Sequence, residues 1–394
     1  MKFIDQSYKI IEQRPGIEGM YLQIERAGRT CYRSIGTRYF LIPAVENTTE
    51  NSVEYNKIGN ILGTWLIRPT GFITTIRYIG CDYHCFSLKN ADVKAYPDYI
   101  ADYEISEDKA FEINDNIYKW HHIEHNAFIN LTAEHFVNNV LKKNGHGAML
   151  EHGTVYLDVP FYRPDIFFRY AFNKYSRCKM YHGRFLITTN YRVVCEKEAE
   201  KDLEYFTNNT SYHYKRPCVR FVMDRVGSQS VERHRGKYGI SFAQESTRFC
   251  NYSNENKFGE MTFIIPRWMY ALRDRLATYI DSLDYTSNEW MLDYEGEKMV
   301  NMLACHDRSV AAYCDVCSNA ESEYNFLCTS DESEQLKPQD ARGILPMCLK
   351  TEFVMTAFEF DWKHFFELRD DSHAHPDIQW ISHKLHEEEP FKNL

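Results

Sequence analysis

The residues best suited to chemistry lie in one polar run from Arg233 to Ser253. It opens with Arg-His-Arg at 233–235, potential cations that repel one another unless an anion or carboxylates neutralise them. Ser246, Thr247 and Arg248 offer hydroxyl, backbone and guanidinium donors that suit a phosphate. A charged triplet alone is equally typical of a solvated turn. The whole run has little apolar periodicity and lies between two apolar blocks, so we predict a binding site.

Regular elements predicted from apolar periodicity flank this run. Residues 131–143 have one apolar helical face, and Asn144-Gly145 is a typical helix stop. Pro266 suits the first turn of a later helix, on which Trp268 and Tyr279 belong to the predicted apolar face. Residues 154–159 and 219–223 alternate between apolar and polar positions in the manner of strands, and residues 261–265 form a short apolar run that Pro266 closes.

A third patterned block runs from 341 to 369. Two tyrosine-rich stretches, about 36–130 and 164–216, separate the patterned blocks. Because they are rich in aromatic and β-branched residues, we interpret them as ordered insertions into one domain that spans 1–394.

Composition restricts the classes of function. The chain has 394 residues, 44% of them apolar, and a formal net charge of −10. An acidic chain is a poor candidate for wrapping a nucleic-acid duplex, although a local arginine cluster can still bind one small anion. The N-terminus has no apolar run of signal-peptide length, and no stretch approaches the roughly 20 apolar residues that span a bilayer. We therefore expect a cytoplasmic protein without nucleic-acid or membrane partners, whose 12 cysteines are reduced.

The pair Cys314-x-x-Cys317 raises the possibility of a zinc site, with Cys305, His306 and Cys328 nearby. A structural zinc site usually needs two such pairs at compact spacing. Since residues 308–319 have a helical pattern, we expect these thiols to pack on a buried face, and we predict no metal site.

Five motifs in order resemble those of the flavin-dependent thymidylate synthase family. The central one is Arg-His-Arg followed by Ser-Phe-Ala-Gln-Glu-Ser-Thr-Arg-Phe. Any one motif would be a weak signal, but five in order, covering a little over half of the chain with their flanks, are a strong one. The motif segments are 25–32, 145–152, 233–249, 341–346 and 367–369.

The resemblance implies a specific reaction. Members of this family convert dUMP to dTMP, with methylenetetrahydrofolate as carbon donor, NADPH as reductant and FAD as hydride carrier, and without a cysteine nucleophile. It also implies an α+β fold with a central, largely antiparallel sheet flanked by helices, and a homotetramer with active sites between subunits.

Residue roles are carried over by position, and the resemblance implies catalytic residues, dUMP contacts and FAD contacts. Arg369 is expected to favour the ionised form of uracil N3, which makes C5 more nucleophilic; Arg369 and Ser246 are the expected catalytic residues. The expected dUMP contacts are Ser230, Arg233, Gln244, Glu245, Ser246, Thr247, Arg248, Arg342 and Arg369. The expected FAD contacts are His146, Ala148, Arg233, His234, Arg235, Gln244 and His364.

The sequence departs from the family pattern at three places. Residues 236–240 make the loop after Arg-His-Arg three residues longer than usual. Ser230 stands where the family usually has Gln or Glu, and Phe358 and Phe360 stand where some members have an Asn-x-Arg flavin contact. The longer loop leaves open a hydroxymethylating enzyme on the same scaffold, and the two phenylalanines leave open a non-catalytic nucleotide-binding protein.

Overall fold

The chain forms two compact units, residues 14–150 and a larger unit made of residues 1–13 and 151–394. A computed structural model describes residues 1–33, 36–42, 61–67, 74–79, 87–88, 93–94, 102–105, 132–232, 234, 239–253, 260–281, 294–331 and 334–394. The assignment of 1–394 to one family domain, with insertions at about 36–130 and 164–216, stays a prediction.

Strands and helices are numbered here in chain order. The strands are β1 Lys2–Ile4, β2 Ser7–Ile11, β3 Gly36–Ile42, β4 Ile61–Ile67, β5 Thr74–Ile79, β6 Ser87–Leu88, β7 Val93–Lys94, β8 Asp102–Ile105, β9 Thr154–Pro160, β10 Arg177–Tyr181, β11 Arg184–Asn190, β12 Cys218–Met223, β13 Ser241–Gln244, β14 Thr262–Ile264 and β15 Thr351–Thr356. The α-helices are α1 Gly16–Tyr32, α2 Thr132–Phe136, α3 Gly147–Leu150, α4 Pro164–Ala171, α5 Tyr191–Glu196, α6 Arg225–Glu232, α7 Arg267–Asp281, α8 Gly296–His306, α9 Arg308–Thr329, α10 Pro338–Ala341, α11 Glu359–Arg369 and α12 Pro376–His386. A π-helix (Val137–Lys142) continues α2, and 3-10 turns cover Glu200–Tyr205 and Arg342–Ile344.

The sheet that positions the candidate site lies in the larger unit. Its strand order is β13-β15-β12-β2, and every neighbouring pair is antiparallel. The alternating apolar residues of β12 and β15 point to one face, where Phe221 stacks on Phe353 with ring centroids 4.9 Å apart. Trp362 and Phe365 of α11 and Ile381 of α12 cover this face as part of one buried cluster. The predicted α+β fold with an antiparallel sheet flanked by helices is thereby confirmed.

A second core of the larger unit surrounds a short parallel pair, β1 and β14. Phe263 of β14 packs with Met299 and Leu303 of α8 and with Cys317 and Tyr324 of α9. The sheet β10-β11-β9 is antiparallel and precedes β12 in the chain.

The unit of residues 14–150 contains α1, which is buried along most of its length, and an antiparallel sheet of order β3-β4-β5-β8. Gly28 lies against the ring of Phe136, where a Cβ would come within 2.7 Å of a ring carbon. The helical segment predicted for 131–143 ends as expected, because Gly145 takes a φ of 70° that favours glycine. Most of the predicted insertion 36–130 lies outside the described residues.

The other predicted elements of the larger unit mostly agree with the structure. β9 and β12 cover the two alternating segments, β14 lies within the apolar run 261–265, and α9 contains the helical pattern of 308–319. The predicted apolar face of α7 is wrong in part: Trp268 and Tyr279 are exposed, whereas Met269 and Ala277 are buried. Among the helices that the structure describes, none is long and apolar enough to cross a membrane.

Candidate active site

The turn after β13 carries the hydroxyls and the guanidinium that the sequence singles out. β13 is paired with β15 up to Gln244, and the backbone N–H of Glu245 still donates to the carbonyl of Glu352 at 2.7 Å. The chain then turns, because Phe249 and Cys250 donate their N–H groups to the carbonyl of Ser246 at 3.2 and 2.9 Å. This turn is anchored by a strand and presents its polar groups outward.

Arg342 is brought to this turn from a distant part of the chain. It begins the 3-10 turn that follows α10, and its Nη1 donates to Oγ1 of Thr247 at 3.4 Å. Arg342 and Arg248 are exposed, while Ser246 and Thr247 are half-buried. We call these four residues the candidate phosphate surface, since two guanidinium groups beside two hydroxyls match the oxygens of a phosphate.

Glu245 points inward, away from this surface. It is 2% exposed, and its carboxylate accepts from the hydroxyl of Tyr252 at 2.6 Å and from Nζ of Lys350 at 2.8 Å. Lys350 also pairs with Glu352 at 2.6 Å, and Glu352 pairs with Arg220 at 2.9 Å. We call Glu245, Lys350, Glu352 and Arg220 the buried charge network.

The buried charge network balances two positive against two negative charges. Each of its four residues is at most 5% exposed, so each charge depends on its partners for compensation. Burial, and then the charge of Glu245, raises the pKa of Tyr252 well above its ordinary value, so that its hydroxyl stays a proton donor. Ser246, the first residue of the candidate phosphate surface, therefore follows directly after Glu245, which is fixed by an ion pair and by hydrogen bonds.

Gln244 lies beside the network and is half-buried. Its Nε2 donates to Oγ of Ser228 at 3.0 Å and to Oγ1 of Thr351 at 3.3 Å. These bonds link the end of β13 to α6 and to β15.

Arg369, in the last turn of α11, meets His234. Nε and Nη2 of Arg369 lie 3.3 and 3.2 Å from Nε2 of His234, which is 4% exposed. Guanidinium nitrogens only donate, so Nε2 must accept and the imidazole is neutral, with its proton on Nδ1. The ring of His364 lies edge-on to that of His234, with centroids 5.7 Å apart. Three of the expected site residues therefore meet in one place.

Comparison with known families fits this geometry. Residues 218–389 match the family model described as thymidylate synthase complementing protein, which is the flavin-dependent thymidylate synthase family. We call residues 218–389 the family segment, because they are the part of the chain that the family model matches. The resemblance found in the sequence is thus confirmed over 218–389, and it indicates, at the level of the family, a flavin-dependent thymidylate synthase type of function. No individual curated protein matches the chain.

The family segment contains the candidate phosphate surface, the buried charge network and the contact of Arg369 with His234. Arg233 and Arg235, and with them most of the lengthened loop, lie outside the described residues. Ser230 lies on α6, where its hydroxyl donates to the carbonyl of Val226 of the same helix at 3.2 Å.

His146 and Ala148 precede the family segment and lie in the unit of residues 14–150. His146 is half-buried, and its Nδ1 is hydrogen-bonded to the hydroxyl of Tyr32. Ala148 is half-buried in α3. Their expected contact with the cofactor stays a prediction.

The two phenylalanines that replace a family motif have different surroundings. Phe358 is buried, and the guanidinium groups of Arg177 and Arg216 lie over its ring at 4.7 and 5.4 Å from the centroid. Phe360 is 70% exposed. Phe358 therefore packs inside the protein, whereas Phe360 is free to contact a planar group.

The sequence reasoning missed Lys350, Glu352 and Arg220. A signal was present, since Glu352 and Arg220 are charged residues inside otherwise apolar strands, where a charge requires a buried partner. Within the described part of the chain, no group of three or more His, Cys, Asp or Glu is arranged to hold a metal ion.

The described residues fit a flavin by the chemistry of their donors and acceptors. The pyrimidine edge of a flavin has carbonyl acceptors and an imide N–H, and the amide oxygen of Gln244 together with Nδ1 of His234 and the imidazole of His364 supplies both kinds of partner. The cation of Arg369 lies beside His234, where it can compensate negative charge on a ring.

Proposed function

We propose that the chain is a flavin-dependent thymidylate synthase that methylates dUMP reductively to dTMP, with methylenetetrahydrofolate as carbon donor and NADPH as reductant. The observation that carries this proposal is the contact between Arg342 and Thr247, two residues 95 positions apart in the chain. It joins two family motifs into one surface with the chemistry of a phosphate site.

The phosphate of dUMP would bind to the candidate phosphate surface. The guanidinium groups of Arg248 and Arg342 would neutralise its charge, and the hydroxyls of Ser246 and Thr247 would fix its orientation. Glu245 would support this surface from behind through the buried charge network, and Ser230 and Arg233 are proposed as further nucleotide contacts. Once the phosphate is bound, the length of the nucleotide fixes how far the uracil ring can extend into the protein.

The uracil ring would be activated by Arg369. A fixed cation beside N3 stabilises the ring that has lost its N3 proton, and this electron-rich ring is the better nucleophile at C5. The neutral His234 accepts from Arg369 and thereby orients the guanidinium without adding a second positive charge. No cysteine nucleophile is needed for this activation.

The residues proposed to hold FAD are His234, His364 and Gln244, together with Arg233, Arg235, His146 and Ala148. Bound FAD would supply hydride transfer, which no amino-acid side chain can carry out. Phe360, exposed at the start of α11, is available to stack on a ring of the cofactor or of the folate.

We also propose that the protein acts in the cytoplasm as a homotetramer with active sites between subunits, following the family. Light scattering of the purified protein would measure the oligomer, and a monomer with full activity would contradict this part.

The proposed function is tested by incubating purified protein with dUMP, methylenetetrahydrofolate, NADPH and FAD. We expect dTMP as the product, identified by its mass. A hydroxymethylated nucleotide would instead support the related enzyme on the same scaffold. Purified protein that cannot bind FAD and forms no product would support a non-catalytic nucleotide-binding protein.

A further inference from the structure

Two cysteines with no part in the proposed reaction lie side by side in the larger unit. The Sγ atoms of Cys317 and Cys348 are 3.6 Å apart and carry no disulfide bond. Cys317 is buried on α9, and Cys348 is half-buried between the 3-10 turn at Arg342 and β15. A disulfide requires the sulfurs to approach to about 2.05 Å, which is a movement of side-chain size at this starting distance.

The two thiols are chemically unequal. The hydrogen bond between the two thiols, and then that with Tyr313, lowers the pKa of Cys348 below its ordinary value. The same hydrogen bond, together with burial, raises the pKa of Cys317. Cys348 is thus the partly exposed thiol with more thiolate character, and Cys317 is a protonated thiol in contact with it. Low pKa, access to solvent and an adjacent second thiol are the properties of cysteines that respond to oxidants.

We propose that Cys317 and Cys348 form an oxidation site that hydrogen peroxide closes to a disulfide in the folded protein. The thiolate of Cys348 attacks one oxygen of the peroxide, the O–O bond breaks, and the departing hydroxide takes up a proton to form water. The resulting sulfenic acid on Cys348 is then attacked by the sulfur of Cys317. The S–O bond breaks, and the oxygen leaves as a second water with the proton of Cys317. Two thiols are oxidised, and one peroxide is reduced to two waters.

The disulfide would join α9 to the segment that carries Arg342 and Lys350. Both sides are already tied to Ile264 of β14, because its N–H donates to the carbonyl of Cys348 at 3.0 Å and its carbonyl accepts from the hydroxyl of Tyr313 on α9 at 2.6 Å. With the sulfurs 3.6 Å apart, we expect the bond to close mainly by rotation of the two side chains. The proposed function assigns no role to Cys317 or Cys348, so this proposal stands independently of it.

The test is a peroxide titration of the native full-length protein, followed by alkylation of the remaining thiols, digestion without reductant and mass spectrometry. We expect the loss of two titratable thiols and a peptide pair joined through Cys317 and Cys348, with a loss of two hydrogens, which a dithiol reductant reverses. Cys305, the exposed thiol at the end of α8, is the internal control and should react later. Oxidation of Cys305 first, with Cys317 and Cys348 still alkylated in full, would overturn the proposal.

Two variants separate the steps. In Cys317→Ser, the sulfenic acid on Cys348 has no partner and should accumulate, so that a 1,3-dione probe labels Cys348. In Cys348→Ser, Cys317 should stay reduced because it is buried. Cys314→Ser is the matched control one helical turn away on α9, and it should still form the disulfide. Formation of the joined peptide only after unfolding would contradict the proposal, whatever the activity of the protein.

Discussion

Replacing Lys350 with Met tests whether the buried charge network supports the nucleotide-binding turn. Lys350 is 4% exposed and contacts both Glu245 and Glu352. After the replacement, Glu352 keeps its pair with Arg220, whereas Glu245 loses its lysine partner and keeps the hydrogen bond from the hydroxyl of Tyr252. Removing one partner of a buried ion pair costs about 3–5 kcal/mol. Because one of the two carboxylates remains paired, we expect a loss near the lower limit, about 3 kcal/mol.

The loss is measured as the free energy of unfolding in urea at neutral pH. The double variant Glu245→Gln/Lys350→Met removes both charges and leaves an amide that can still accept from Tyr252, so it should recover most of the lost stability. Lys363→Met, an exposed lysine on α11, is the matched control and should change stability by less than about 0.5 kcal/mol. A loss below about 1 kcal/mol, or a double variant as unstable as Lys350→Met, would refute the reasoning.

Three further predictions concern single residues. Arg369→Ala should abolish turnover while flavin stays bound, as seen in the visible spectrum; retained turnover would show that the residue mapping is wrong. Arg342→Ala should weaken dUMP binding by about 1.5–3 kcal/mol, or roughly 10–150-fold in Kd by calorimetry, because a charge-assisted hydrogen bond is lost; an equal loss for deoxyuridine, which lacks the phosphate, would contradict a phosphate role. Asp361 is buried, and burial raises its pKa. A raised folded-state pKa means that its contribution to stability falls as pH rises above the unfolded value of about 3.9. Asp361→Asn should therefore raise stability at neutral pH and flatten that fall in urea titrations, and an unchanged pH profile would contradict this.

Much of the fold follows from local patterns. β12 and β9 were predicted from alternation, and the helix stop at Gly145 from residue type, because these signals depend on a few neighbouring residues. The predicted buried face of α7 was wrong in part. Periodicity shows that Trp268 and Tyr279 share one side of the helix, but it does not show which side the protein covers, and that side contains Met269.

For the candidate site, the sequence indicates that two motifs come together but not how deeply each residue is buried. Motif order places Thr247 and Arg342 in the same site, and the structure brings them into contact. The motif could not show that Glu245 points inward, because its partner Lys350 follows 105 residues later and only the pairing of β13 with β15 brings them together. The neutral form of His234 likewise depends on a contact across 135 residues.

The central claim is most directly tested by one anaerobic turnover of the flavin-loaded protein. NADPH should bleach the flavin absorbance. The absorbance should return only when both dUMP and methylenetetrahydrofolate are present, with one dTMP formed for each flavin reoxidised. Return of the absorbance without dTMP, or dTMP formed while the flavin stays in one oxidation state, would contradict the account.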